Sequence, residues 1–366
     1  MAARIRARLT DWTFVVPLVA ILMLVAGWGR DLPGVVVAVV AALLAGAVLA
    51  AVHHAEVVAH RVGEPFGSLV LAVAVTVIEV ALIVTLMISG GDKTQALARD
   101  TVFAAVMITC NGILGLSLLI GALRRRVAVF NPEGTGGALA TVATLATLSL
   151  VVPTFTTSRP GPEFSPAQLT FAAVASLALY GLFVLVQTGR HRDYFLPVEG
   201  RYADADGDDH ADPPSTGAAL ASLALLIVAL VAVVGNAKLV SPTIEAGVSA
   251  ANLPPAFVGV VIALLVLLPE TLAASRAARR DRVQISLNLA LGSAMASIGL
   301  TIPAIALASI WLDGPLLLGL GGTQLTLLAL TAVTGVLTVV PGRATVLQGG
   351  VHLVLLAAFV FLAASP

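Results

Sequence analysis

Apolar residues run in long blocks along this chain, separated by short polar or Gly- and Pro-bearing stretches. A membrane helix needs about 20 largely apolar residues. Eleven such blocks predict spanning helices near 12–29, 33–52, 66–90, 101–123, 137–157, 167–188, 217–236, 254–275, 284–310, 319–340 and 344–364. One long polar interruption, Gly189 to Gly217, divides the chain into two halves. It holds Asp204, Asp206, Asp208, Asp209 and Asp212 followed by Pro213 and Pro214, a composition that predicts a disordered acidic linker.

Composition agrees with the pattern. Hydrophobic residues make up 58% of the 366 and charged residues 11%, with a mean hydropathy of +1.02. Soluble domains carry about 25% charged residues, so the fold class is an all-α polytopic membrane protein. The net charge of zero gives no hint of nucleic acid. Cys110 is the single cysteine, which excludes an internal disulfide. The basic start MAARIRARLTDW leads into an apolar run like a signal peptide, but no A-x-A cleavage site follows, and a retained first span is expected.

Lys and Arg in the loops give an orientation. With a cytoplasmic N-terminus, the inner segments hold Arg4, Arg6, Arg8, Arg61, Arg124, Arg125, Arg126, Arg190, Arg192, Arg201, Arg276, Arg279, Arg280, Arg282 and Arg343, which is 15. The outer side holds Arg30, Lys93, Arg99, Arg159 and Lys238, which is 5. This bias predicts eleven spans in a bacterial inner (plasma) membrane, with the N-terminus in the cytoplasm and the C-terminus outside.

Two glutamates stand alone inside apolar runs: Glu79 in the third block and Glu270 in the eighth, each thirteen residues after a phenylalanine (Phe66 and Phe257). An ionised carboxylate in hydrocarbon costs roughly 2.5–3.5 kcal/mol on insertion scales, so a matched pair points to a cation or proton site. Five spans separate the two, so their helices run in opposite directions. The similarity of PFGSLVLAV…IE to AFVGVVIAL…PE then predicts an inverted repeat, a hallmark of secondary transporters. The expected layout is an extra span over 1–30, a first repeat over 31–188, the acidic linker over 189–217 and a second repeat over 218–366.

Polar side chains on the same and following helices extend the site. Thr76 lies one turn before Glu79; Asn111 follows Thr109 and Cys110; Asn288, Ser293 and Ser297 share the ninth block. Hard cations take oxygen ligands, and Glu79, Glu270, Asn111, Ser293, Thr76 and Asn288 supply them. Pro269 has no N–H for the Leu265 carbonyl, which then needs another partner. The competing reading is interhelical hydrogen bonding, the commoner use of Ser, Thr and Asn in membrane helices.

His53, Glu56 and His60 fall on one helical face, followed by Glu64. Solvated groups at a helix end are the plain reading, and proton entry or pH sensing the functional one. No H-E-x-x-H motif is present. The acidic linker departs from an EF-hand at Asp209 and Ser215. His352 in the last block has no evident partner in the sequence, and a packed neutral imidazole is expected there.

The segments HHAEVVAHRVGEPFGSLVLAVAVTVIEV and PETLAASRAARRDRVQISLNLALGSAMASIGLTIPAIA resemble the ChaA-type antiporters of the cation/calcium exchanger superfamily. The resemblance implies that one acidic residue of each repeat binds the cation near the midplane, matching Glu79 and Glu270, with Asn111 and Ser293 as further ligands. Where calcium/proton exchangers carry G-N-A-x-E-H, this chain has Val75-Thr76-Val77-Ile78-Glu79-Val80 and Leu267-Leu268-Pro269-Glu270-Thr271, and Ala296 stands where a glutamine is common. This thinner oxygen set fits Na⁺ and K⁺ as well as Ca²⁺. The expectation is a cation/proton antiporter with inorganic cations, protons and the lipid bilayer as its partners, and with no resident cofactor. The alternatives are a passive channel using the same glutamates and an intramembrane metal-dependent enzyme built on His53, Glu56 and His60.

Overall fold

The computed structural model describes residues 11–30, 32–63, 66–90, 94–198, 214–311 and 314–366. It is nearly all helical. The main elements are α1 (Trp12–Gly27), α2 (Gly34–Val62), α3 (Phe66–Gly90), α4 (Leu97–Arg125), α5 (Pro132–Phe155), α6 (Pro166–Arg190), α7 (Thr216–Ala250), a broken pair α8a (Phe257–Val266) and α8b (Leu268–Arg279), α9 (Val283–Ala308), α10 (Gly322–Val339) and α11 (Val346–Ala364). Among the described residues, nine helices are long and apolar enough to cross a membrane, and the pair α8a–α8b makes a tenth if counted as one span. α1 is apolar but shorter, at 16 residues.

Each start and stop has a local cause. Asp11 caps α1 by accepting from the backbone N–H of Thr13 at 3.1 Å and from its hydroxyl at 2.9 Å. Those two bonds hold the Asp11 carboxyl below the usual carboxylate range. Ser165 with Gln168, and Thr345 with Gln348, form capping boxes on α6 and α11. α2 continues past its apolar block to Gly63, whose φ of 74° suits a residue without a Cβ. α7 likewise outruns its block by fourteen residues, to Ala250. Apolar patterning marks the part of a helix in hydrocarbon, not where its hydrogen bonding ends.

By contact, the chain divides into two compact units, 1–94 with 208–258, and 95–207 with 259–366. In the first, α1, α2, α3 and α7 pack together. Pro17 inside α1 has no N–H to return to the carbonyl of Thr13, four residues earlier. The Nε2–H of buried His54 donates to that carbonyl at 3.0 Å. One face further along, Asn236 of α7 donates to the Ala20 carbonyl at 2.9 Å. Both long helices therefore grip α1 through its backbone.

In the second unit α4 is the most enclosed of the described spans. It carries a π-helical turn at Ile108–Ile113, and α11 lies antiparallel along it. Gly115 and Gly349 meet there: a Cβ on Gly115 would stand 2.8 Å from the His352 Cβ, and one on Gly349 would stand 2.7 Å from the Leu119 nitrogen. Further along, Leu356 covers Gly112, and Phe359 meets Phe103 edge-on at 5.5 Å. A two-stranded ribbon pairs β1 (Ala128–Val129) with β2 (Arg343–Ala344).

Candidate cation site

Glu79 is 3% exposed and Thr76 7%, three residues apart on the buried side of α3. Val73 and Val77 occupy the exposed side. The helical repeat thus places the one carboxylate of this span with the buried residues Ile83 and Leu86, not toward lipid. α3 is unbroken through this region.

Glu270 sits differently. The chain bends by 54° between α8a and α8b. Leu267, at φ −85° and ψ 1°, leaves the helix, and Pro269 falls in the opening turn of α8b, where its missing N–H costs nothing. The Thr271 hydroxyl and N–H both bond the Leu267 carbonyl, at 2.7 and 2.9 Å, and fasten the joint. Glu270 therefore occupies the first turn of a helix that starts inside the span, the end at which a helix carries positive partial charge. α8b is held in turn by Ser286 of α9, whose hydroxyl donates to the Ala274 carbonyl at 2.7 Å and meets the Ser117 hydroxyl of α4 at 2.5 Å.

The neutral residues separate into two kinds. Ser293 is half-buried on α9 beside Gly292, where an added Cβ would meet no atom within 4 Å. Asn288 is engaged at both ends. Its Nδ2 donates to the Phe195 carbonyl at 2.6 Å, and its Oδ1 accepts from Gln284 at 2.8 Å. Asn111 is also engaged at both ends, with Oδ1 accepting from His352 Nδ1 at 3.0 Å and Nδ2 donating to the Thr331 hydroxyl at 2.9 Å. His352, the packed imidazole with no partner evident in the sequence, has two here, since its Nε2 also accepts from Thr338 at 3.1 Å. Its pairing with Asn111 joins residues 241 positions apart, which no local pattern encodes. Glu79 and Thr76 belong to the first unit, and Glu270, Asn111, Asn288 and Ser293 to the second.

His53, Glu56 and His60 lie on the exposed face of α2, and Glu64 lies outside the described residues. The histidine drawn into the packing is their neighbour His54. Pro17 was the signal for it, since a proline in a span frees a carbonyl that some donor must meet. Among the described residues, no three His, Cys, Asp or Glu side chains gather closely enough to hold a metal ion. A further buried carboxylate, Asp100, opens α4 and pairs with Arg99 at 2.8 Å, with Gln324 donating to it at 3.4 Å. Its signal is the sequence Arg-Asp-x-Val, present at Arg99–Val102 and again at Arg280–Val283 where α9 begins. In the second copy, Asp281 pairs with Arg125 at 2.6 Å.

The family described as sodium/calcium exchanger protein matches residues 32–189 and 221–364. The y4hA protein of Sinorhizobium fredii is 46% identical over 362 residues, covering 97% of this chain and 96% of that protein. The sodium-potassium/proton antiporter ChaA of Escherichia coli is 35% identical over 360 residues, again covering 97% and 96%. Among solved structures, native YfkE superimposes with a TM-score of 0.70 at 16% identity, covering 96% of this chain and 99% of that one. The H⁺/Ca²⁺ exchanger CAX gives 0.69 at 15%, covering 96% and 91%. At those identities the two structures speak for the fold alone.

Proposed function

The chain belongs to the sodium/calcium exchanger protein family, within the cation/calcium exchanger superfamily, and on that premise we propose that it exports cations in exchange for protons. The observation that carries the reading is one isolated carboxylate on each of two apolar helices, the second of them at a break in its span. Broken helices whose ends face an ion are how transporters place charge at the midplane.

The mechanism is competition. An ionised carboxylate in a dry site needs a counter-charge, which either a proton or a metal cation supplies. Glu79 and Glu270 hold protons or a cation, not both, and alternating access presents them to each side in turn. Thr76, Asn111 and Ser293 add neutral oxygens, and the sparse set favours Na⁺ and K⁺ alongside Ca²⁺. The Escherichia coli relative, a sodium-potassium/proton antiporter, supports Na⁺ and K⁺ among the ions carried. Membrane insertion follows from the helices; a cytoplasmic N-terminus follows from the Arg bias and belongs to the proposal.

Everted vesicles test it, with Na⁺, K⁺ and Ca²⁺ offered separately across pH. The expected result is uphill cation movement driven by a proton gradient. Movement only down the cation's own gradient would make the protein a channel and overturn the reading.

A further inference from the structure

We propose that His352 is a positioning residue for transport, one that fixes the orientation in which Asn111 offers its carboxamide oxygen to the cation. This rests on the reading of Asn111 as a ligand. Asn111 and His352 are both fully buried. A carboxamide oxygen only accepts, so the 3.0 Å contact puts the proton on His352 Nδ1. That leaves Nε2 as an acceptor for the Thr338 hydroxyl at 3.1 Å. At the other end of the amide, Nδ2 donates to Thr331 at 2.9 Å. Thr331 and Thr338 are seven residues apart, two turns along the same face of α10.

The chain Thr331–Asn111–His352–Thr338 therefore joins three helices with every ring and amide atom used. An amide held at both ends has one orientation, and its oxygen keeps a second lone pair beyond the one His352 occupies. The placement of Asn111 gives that lone pair a use. It lies in the π-helical turn of α4, which packs against α8b, the helix opened by Glu270, and against α9, the helix of Ser293. Wide turns of this kind often mark functional positions. α10 and α11 hold the side chain, and α8b and α9 pack against the same turn. The Gly115–Gly349 contact brings α11 near enough for the imidazole to reach. Groups that orient a ligand from behind typically change metal affinity by about 10–100-fold when removed.

The test measures exchange in everted vesicles with Na⁺, K⁺ and Ca²⁺ as separate probes, reading KM apart from the maximal rate. His352→Leu keeps the volume and removes the donor; its KM should rise by about tenfold or more. His352→Asn places an N–H where Nδ1 stood and should recover most of the loss. Asn111→Ala should match His352→Leu, and the double variant should add little, as expected of residues acting through one group. If Asn111→Ala raises KM and His352→Leu does not, the positioning role fails and the ligand reading stands. If Asn111→Ala leaves KM unchanged for all three ions, the ligand reading fails and this role with it. Should His352→Leu not fold, Thr338→Val serves: it leaves the Nδ1 contact in place, removes the group that fixes the tautomer, and should raise KM by a smaller factor. An unchanged KM there, with no gain for His352→Asn over other variants, overturns the proposal.

Discussion

The two glutamate-bearing helices start from similar sequences and end in different shapes. α3 runs unbroken for 25 residues with Glu79 in its interior, whereas the matching stretch bends by 54° and puts Glu270 in a first turn. The difference is largely one residue: Ile78 precedes Glu79, and Pro269 precedes Glu270. Ile keeps its backbone N–H in the helix; Pro has none and favours a helix start. Equivalent charges thus acquire unequal surroundings, a carboxylate in the middle of a continuous helix in one case and in the first turn after a break in the other.

The hardest test of the comparison is to neutralise each charge. Glu79→Gln and Glu270→Gln should each abolish exchange while the protein still inserts, read as vesicle transport against membrane yield. Near wild-type exchange in either one would mean the two helices do not share a function. Swapping the backbone chemistry comes next. Ile78→Pro should cost about 3 kcal/mol or more in stability, seen as a lower unfolding midpoint in detergent. Pro269→Ala should leave that midpoint intact and slow maximal exchange, roughly tenfold if the break contributes about 1.4 kcal/mol to the barrier.

Asp11 sharpens the point from outside the membrane, as an acid at a helix start in contact with water. Asp11→Ala should cost about 1 kcal/mol. Because folding lowers the Asp11 carboxyl below its unfolded value, the cap is at full strength above that value, near pH 4, and is lost as pH falls through the folded one. The variant's deficit should therefore shrink in acid; a deficit constant down to pH 2 would rule out the cap. Deleting Tyr202 to Pro213, which lies outside the described residues and tethers the two halves, should change saturated exchange by no more than about two- to threefold, under about 1 kcal/mol.

Much of this was legible in the residues. The apolar blocks located the main helices, but the eighth read as one continuous span, and Pro269 was legible only as a residue that cannot bond the Leu265 carbonyl. What escaped notice depends on distant partners. Nothing near His352 points to Asn111, and the π-helical turn at Ile108–Ile113 has no proline or glycine pair to signal its start. Asn288 read as a ligand on composition, yet its amide is spent on Phe195 and Gln284, because a side chain's chemistry does not say which neighbour will claim it. His54 was hidden by a more periodic set, His53, Glu56 and His60, whose regular spacing marks the exposed face.

α7 has a mechanical consequence. At 35 residues it is about 52 Å long, against about 30 Å of hydrocarbon. Lys238 stands 5.1 Å from the centre of the Trp28 ring, a pairing suited to the headgroup level. From there to Ala250 the helix continues for about 18 Å. Val240 of that stretch packs with Val37 and Val40 of α2, so a small change of tilt in the bilayer carries both helices and becomes a larger sweep at the end of α7. Bilayers of different thickness set that tilt, which makes lipid chain length a variable that reaches the tip of α7 without touching the ion.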